Sequence, residues 1–236
     1  MPDHALLTAD DHRELRVRTD RSAELGDAVM ASLAVPAEFR RVQEEYPILF
    51  RRDAEGDGFT ALAMFGFENG ENLFLEDGRW DARYRPLAIE IQPFLIGRSA
   101  PGSLDKQVHV DLASPRLGDG VRLFDVDGRP TPYLETVAEN LGALDEGYQA
   151  SAEFFTALRR HELLEPFTLE VTLDDGSTNR LVDFHVIDED RLRDLDAAAL
   201  GDLHADGHLL PVFMAVASLG RLNALIARRN RRLRDG

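Results

Sequence analysis

The 236-residue chain has no cysteine, which excludes disulfides, thiolate metal sites and a cysteine nucleophile. A reducing compartment is compatible with that composition. The opening residues, Met1-Pro2-Asp3-His4-Ala5-Leu6-Leu7, lack the basic stretch and long apolar run of a secretory signal, so a cytoplasmic location is expected. The one long apolar run, Leu209 to Ala227, contains Pro211, Ser218, Arg221 and Asn223 and falls short of a clean bilayer span of about 20 residues. It is expected to be a buried helix, with no transmembrane segment. No glycine-rich phosphate loop is present, and Ser99, Ser103 and Ser218 lack a nucleophile elbow. Positive charge is scarce, with 27 Lys and Arg against 43 Asp and Glu. The net charge of -16 repels phosphate backbones, so no nucleic-acid partner is expected.

Hydrophobic residues make up 44% of the chain, ordinary for a globular protein with a sizeable core. The densest aromatic stretch, Met64 to Phe94, holds Phe65, Phe67, Phe74, Trp80, Tyr84 and Phe94 around a polar knot, Glu68-Asn69-Gly70-Glu71-Asn72. Aromatics bury large areas, so a core is expected here. Asn-Gly suits a hairpin turn with positive φ, which is one reading of the knot. The other is that Glu71 and Asn72 hold a ligand or partner.

Residues 1–30 are polar and acidic and read as a loosely attached arm, with a short strand at Leu15 to Arg18. Pro36 and Glu38 open a short helix that Tyr46-Pro47 ends. Strands follow at Ile48 to Phe50, Phe59 to Phe67, Pro93 to Ile96 and Val108 to Leu112, with turns at Glu76-Asp77-Gly78 and Asp125 to Gly128. The period then changes. Thr131 is a helix cap with Pro132 behind it, and Leu134, Val137, Leu141, Leu144, Tyr148, Phe155 and Leu158 form a helical stripe, with Ala152 in its gap. Packing of this helix over the chain's own sheet is expected, with a kink where Gly142 and Gly147 weaken it. Phe167, Leu169, Val171 and Leu173 alternate with polar residues before Asp174-Asp175-Gly176-Ser177 turns the chain into Leu181 to Ile187. Short helices are expected at Glu189 to Leu195 and Ala197 to Leu203, and the apolar helix closes the fold.

Charge is unevenly spread. The last sixteen residues carry six arginines against Asp235, a net of +5, which leaves -21 on the other 220. These arginines can offset a helix dipole and sit on the acidic body, or meet an anionic membrane or an acidic partner.

Several short motifs recur in a familiar order: His12 with Leu15 and Val17, Val35-Pro36, Tyr46-Pro47-Ile48 with Phe50, Gly70-Glu71-Asn72-Leu73-Phe74, Trp80, Tyr84 with Pro86, and Pro93-Phe94. Leu123-Phe124-Asp125 with Gly128 and Thr131, Leu163-Leu164-Glu165-Pro166, Phe184 with Val186, Glu189 with Leu192, and Ser218-Leu219-Gly220-Arg221-Leu222 follow. Together, from about residue 10 to 227, the chain resembles the bacterial SapC family. That resemblance implies a single domain over 31–227, after the arm of 1–30 and before a basic tail of 228–236. It carries no established catalytic residues. It implies a setting near flavin-dependent halogenase-like proteins, cupin-like oxygenases and outer-membrane receptors, and the family name comes from a surface-layer gene region. Where the family pattern has an aromatic and a pair of arginines between Pro86 and Phe94, this chain has Ala88-Ile89-Glu90-Ile91-Gln92.

Other residues bear on chemistry. His109-Val110-Asp111, with a distant His185, His204 or His208, has the makings of a two-histidine, one-carboxylate iron site, although a plain strand explains the tripeptide as well. Asp125-Val126-Asp127-Gly128 starts like a calcium loop but lacks the distal glutamate. His204 and His208 share a four-residue spacing without an accompanying glutamate base.

The expected architecture is α+β: a largely antiparallel sheet covered by a long central helix and a C-terminal helix. The expected function is a non-catalytic binding or accessory protein without cofactor, using Glu71, Asn72, Trp80 and Tyr84 to engage a protein partner such as an oxygenase or halogenase-like enzyme. The alternatives are a non-heme iron oxygenase and a surface-layer structural protein.

Overall fold

The computed structural model describes residues 3–54, 56, 58–98 and 106–235. In chain order its strands are β1 (His4–Leu6), β2 (Arg16–Val17), β3 (Ala31–Leu33), β4 (Ile48–Arg52), β5 (Phe59–Met64), β6 (Leu75–Glu76), β7 (Arg79–Trp80), β8 (Phe94–Arg98), β9 (Lys106–Asp111), β10 (Val121–Arg122), β11 (Leu164–Thr172) and β12 (Thr178–Ile187). Its helices are α1 (Ala9–His12), α2 (Phe39–Val42), α3 (Leu87–Glu90), α4 (Pro132–Arg160), α5 (Glu189–Arg193), α6 (Ala197–Ala205), α7 (Leu209–Ser218) and α8 (Arg221–Asp235). All strand pairs are antiparallel, and the class is α+β with a long central helix and a C-terminal helix.

The chain forms two compact units. The first comprises Met1–Ala28, Leu75–Trp80 and Leu87–Glu146; the second comprises Val29–Phe74, Asp81–Pro86 and Gly147–Gly236. Residues 132–146 of α4 fall in the first and 147–160 in the second. The 64–94 stretch is likewise shared out: Phe65, Phe67 and Phe74 go to the second unit, Trp80 and Phe94 to the first.

The first unit is built on the sheet β1-β9-β8, with the pair β10-β2 and the hairpin β6-β7 beside it in the chain. Its N-terminal residues are not a loose arm. His4, Ala5 and Leu6 pair with Asp111, Val110 and His109, and Val17 is fully buried. Val17, Phe94, Val110, Leu123, Leu134, Val137 and Leu141 form the core, so the expected stripe of α4 packs as the spacing requires in this half.

A buried ion cluster ties the unit's segments together. Asp27 is fully buried between Arg21 and Arg116, and its Oδ2 accepts from the Ser22 amide at 2.9 Å. Arg116 also donates to the Asp20 carbonyl at 3.0 Å, while Arg21 donates to the Ile89 carbonyl at 3.1 Å and pairs with Glu90 at 3.0 Å. Burying charge is tolerable only where such partners are supplied.

The second unit holds a five-stranded sheet in the order β11-β12-β4-β5-β3. One face meets α4 through Phe154 and Phe155, whose rings lie 6.5 and 5.3 Å from that of Phe50. α7 packs on β12 and β4, and the Ser218 hydroxyl accepts from the Ile48 amide at 2.9 Å while donating to the Ala215 carbonyl at 2.6 Å. The stripe of α4 shifts in this half. Phe154 is fully buried, whereas Tyr148 is exposed. The helix runs without interruption through both glycines. Gly147 has a packing reason, since a Cβ there would meet Val35 Cγ2 at 2.6 Å.

Asp27→Ala leaves two buried guanidiniums without their shared carboxylate. The expected cost is about 3–5 kcal/mol, read as an earlier urea transition in the amide-exchange protection of residues 87–146.

Candidate functional site

Glu71, Asn72 and Tyr84 belong to the second unit and Trp80 to the first. The polar knot is not a hairpin, because β5 ends at Met64 and β6 begins at Leu75. Between them the chain makes a loop that closes on itself. The Leu73 amide donates to the Phe65 carbonyl at 2.8 Å, the Glu71 amide to the Glu68 carbonyl at 3.1 Å, and Gly70 turns the loop at φ +83°. Positive φ is the reason for glycine there.

The Glu71 and Asn72 side chains of this loop face inward, whereas Glu68 and Asn69 are exposed. Glu71 is 9% exposed, accepts from the Phe67 amide at 2.8 Å and pairs with Arg229 of α8. A Cβ at Gly66 would sit 2.8 Å from Glu71 Oε2 and 2.9 Å from its carbonyl oxygen, so only glycine lets the carboxylate pass. Asn72 is 2% exposed; its Oδ1 accepts from the Phe74 amide at 3.0 Å and its carbonyl from Arg232 at 3.1 Å. Tyr84 donates to Glu38 Oε2 at 2.6 Å, with the Arg41 guanidinium 4.5 Å above its ring. Trp80 is 6% exposed and pairs with Leu75 across the β6-β7 turn. These four residues hold structure from inside.

The basic end of the chain completes that arrangement. Arg228 pairs with Asp81 at 2.8 Å and lies 4.3 Å over the Phe74 ring, and Arg234 pairs with Asp174 at 3.0 Å. Of the six arginines, Arg228, Arg229 and Arg234 meet the chain's own acidic residues. Residues 228–235 continue α8 as helix.

The residues read for metal chemistry do not come together among the described residues. Asp111 Oδ1 accepts from the Ala113 amide at 3.0 Å, and the His109 ring lies against Gly97, where a Cβ would meet it at 2.2 Å. Asp125 Oδ1 accepts from the amides of Asp127 and Arg129, both at 2.9 Å, which makes this segment an Asx turn. Gly207, at φ +74°, ends the run of α6 before His208, whose ring meets that of Phe154 at 5.7 Å; His204 and His208 therefore do not share one helical face. Among the described residues no three His, Asp or Glu groups converge as a metal site. Ser218 is fully buried in its backbone bridge, and Ser99 and Ser103 lie outside the described residues.

A surface that the sequence reading missed lies at the start of α7. Leu209–Asp235 is long and apolar enough by length and composition to cross a membrane, but 28% of its most apolar window is buried, not the whole. Val212, Ala215, Ser218 and Leu225 face the core, whereas Leu210 and Phe213 are 53% and 47% exposed. Leu210, Pro211 and Met214 border a groove of about 400 Å³ with Pro36, Ala37 and Phe154 on its other sides. Glu153, Asp206 and Arg40 also line it, and the two acidic residues line an adjoining hollow of about 450 Å³ as well. The missed signal was the spacing of Leu210, Phe213 and Ala217, which makes a second apolar stripe opposite the buried one.

Residues 7–225 match the family model described as SapC. No curated protein and no solved structure matches the chain.

Glu71→Ala removes the carboxylate that Arg229 and the Phe67 amide share, at an expected cost of about 3 kcal/mol. Amide-exchange protection of 221–235 falls first. Gly66→Ala is expected to do the same through overpacking, by about 1–3 kcal/mol.

Proposed function

The chain belongs to the SapC family, and from that premise we propose that it is a non-catalytic accessory protein that docks a protein partner, an oxygenase or halogenase-like enzyme, in the groove beside α7. The observation that carries this reading is the exposed pair Leu210 and Phe213 on one face of α7, with Leu210 lining a groove that also holds the carboxylates of Glu153 and Asp206 and the guanidinium of Arg40. Single exposed apolar residues are ordinary, but two on one helical face beside a concave apolar surface make an anchor site. With two carboxylates against Arg40, the lining favours as occupant an apolar segment, helical or extended, flanked by Lys or Arg. It also favours a protein over an anionic bilayer, whose surface would repel Glu153 and Asp206. Glu71, Asn72 and Tyr84 contribute by holding the second unit, which presents this groove.

The test is binding of the purified oxygenase- or halogenase-like enzyme to the full chain, with a photoreactive residue in place of Phe213 to locate the contact. Leu210→Asp and Phe213→Asp are each expected to weaken binding at least tenfold, about 1.4 kcal/mol, and Glu153→Lys to weaken it several-fold. Val126→Asp, at an 81% exposed residue of the first unit, leaves it unchanged. Equal binding by the α7 variants, or crosslinking to lipid alone, overturns the proposal.

A further inference from the structure

The sheet of the second unit ends in a long edge strand. β11 is the last member of the order β11-β12-β4-β5-β3, so it has a strand neighbour on one side only. The opposite edge, β3, is three residues long, whereas β11 runs for nine.

The two ends of β11 fix which of its backbone groups point outward. Just before it, the Leu163 carbonyl accepts from the Asp188 amide at 3.1 Å; just after it, the Leu173 amide donates to the Ser177 carbonyl at 2.8 Å. Both residues therefore turn their backbone groups toward the β12 side. In an antiparallel pair each residue directs both groups to one side, and successive residues alternate. The register shift of this hairpin leaves that alternation intact, because its extra residue is on β12, where Val182 and Asp183 together stand opposite Thr168. The odd-numbered residues thus face β12, and Leu164, Pro166, Thr168, Glu170 and Thr172 face away from it. Pro166 falls in the outward set, where its missing N–H removes no ladder bond.

Thr168, Glu170 and Thr172 are exposed, and among the described residues no group meets their outward amides and carbonyls. Such a row recruits another strand unless proline, charge or shortness disarms it. Pro166 and Glu170 do so only in part, since Phe167 to Thr172 remains a run of strand-favouring residues with a single charge. Phe167 and Leu169 are half-buried on the face where Val171 is buried, and a further strand would cover them.

The edge is also electrically polarised. Burial first, and then the charges of Asp188, Asp190 and Glu189, hold the pKa of Glu165 above its ordinary value. Asp190 pairs with Arg193 at 2.6 Å and Asp188 caps α5, but no cation offsets Glu165 among the described residues. Farther along, Glu170 has only a loose pair with Arg180 at 3.7 Å, both side chains being exposed, and Asp174 is held by Asn230 and Arg234.

We infer that β11 takes an extended segment of a protein partner as a further antiparallel strand, and that this segment alternates apolar with hydroxyl residues and ends in Lys or Arg. Antiparallel pairing, the rule throughout this sheet, sets the basic C-terminal end of the segment beside Glu165 and its apolar side chains beside Phe167, Leu169 and Val171. A second copy of this chain does not fit, because pairing two β11 strands brings Glu165 of one copy to the Asp174-Asp175 end of the other, like charge on like. The edge is separate from the α7 groove, and its occupancy does not depend on the groove's.

The experiment measures amide exchange by NMR in the full chain, alone and with the blocked peptide Thr-Val-Thr-Val-Thr-Val-Lys-Lys. In the free chain the Thr168, Glu170 and Thr172 amides are expected to exchange about a hundredfold faster than those of Leu169 and Val171, and the peptide slows the first three by about tenfold or more. Thr168→Pro removes an outward N–H and spares the ladder; it is expected to weaken binding about tenfold with an unchanged urea midpoint. Thr168→Val keeps that N–H and binds as the parent chain does. On the unaltered chain, glutamates in place of the two lysines of the peptide weaken binding by about tenfold as well. Outward amides already protected in the free chain, no slowing by the peptide, equal binding of the glutamate peptide or by Thr168→Pro, or a dimer of this chain that Thr168→Pro abolishes, overturns the inference.

Discussion

The second unit depends on one buried carboxylate. Glu71 is almost withdrawn from water, and it is tolerable there because the Phe67 amide and the Arg229 guanidinium both donate to it. Gly66 leaves room for it, and Gly70 turns the chain so that it points inward. In return it fixes α8. Once Arg229 is held, Arg228 reaches Asp81, Arg232 reaches the Asn72 carbonyl, and Asn230 exchanges two hydrogen bonds with Asp174. A loop with little regular structure thereby becomes the seat of the C-terminal helix.

The first unit uses the same device with a second arginine added. There one carboxylate, Asp27, serves two arginines, and the segments it joins begin far apart in the chain: residues 20–27, the Ile89-Glu90 turn and Arg116. Both units thus use a buried ion pair where a run of apolar contacts is short. Such pairs cost desolvation energy and add less net stability than an apolar substitute, but they admit few alternative arrangements. A chain whose N-terminal 30 residues are mostly polar gains definition from that.

The sequence was most legible where periodicity was long. The hairpin from Leu164 to Ile187 and the helix from Pro132 to Arg160 lie where alternation and helical spacing put them, and the reading as an α+β member of the SapC family holds. Legibility failed where tertiary partners decide. Asn69-Gly70 reads as a hairpin turn, yet no strands flank it, because Glu71 is drawn inward by an arginine 158 residues away. Tyr148 fits the stripe of α4 but is exposed, and Phe154 does not fit it but is buried, because Phe39 and Phe50 lie on that side. His185 was legible only as a distant partner for His109 and Asp111, because the bulge beside it is visible only in the register of two strands.

The arginines also decide what the apolar C-terminal segment can do. Leu209–Asp235 is apolar because it carries two stripes, one buried at Val212, Ala215 and Leu225 and one outward at Leu210, Phe213 and Ala217. Insertion into a bilayer would satisfy both stripes, but it would also pull Arg228 and Arg229 from Asp81 and Glu71. Arg221 would lie near the centre of such a span, at a cost of about 2.5–3.5 kcal/mol on insertion scales, and Glu71 would be left buried without its partner. Docking a protein segment on the outward stripe satisfies the exposed face and leaves every ion pair in place. The energetic balance therefore weighs against pulling α8 from the acidic residues that anchor it.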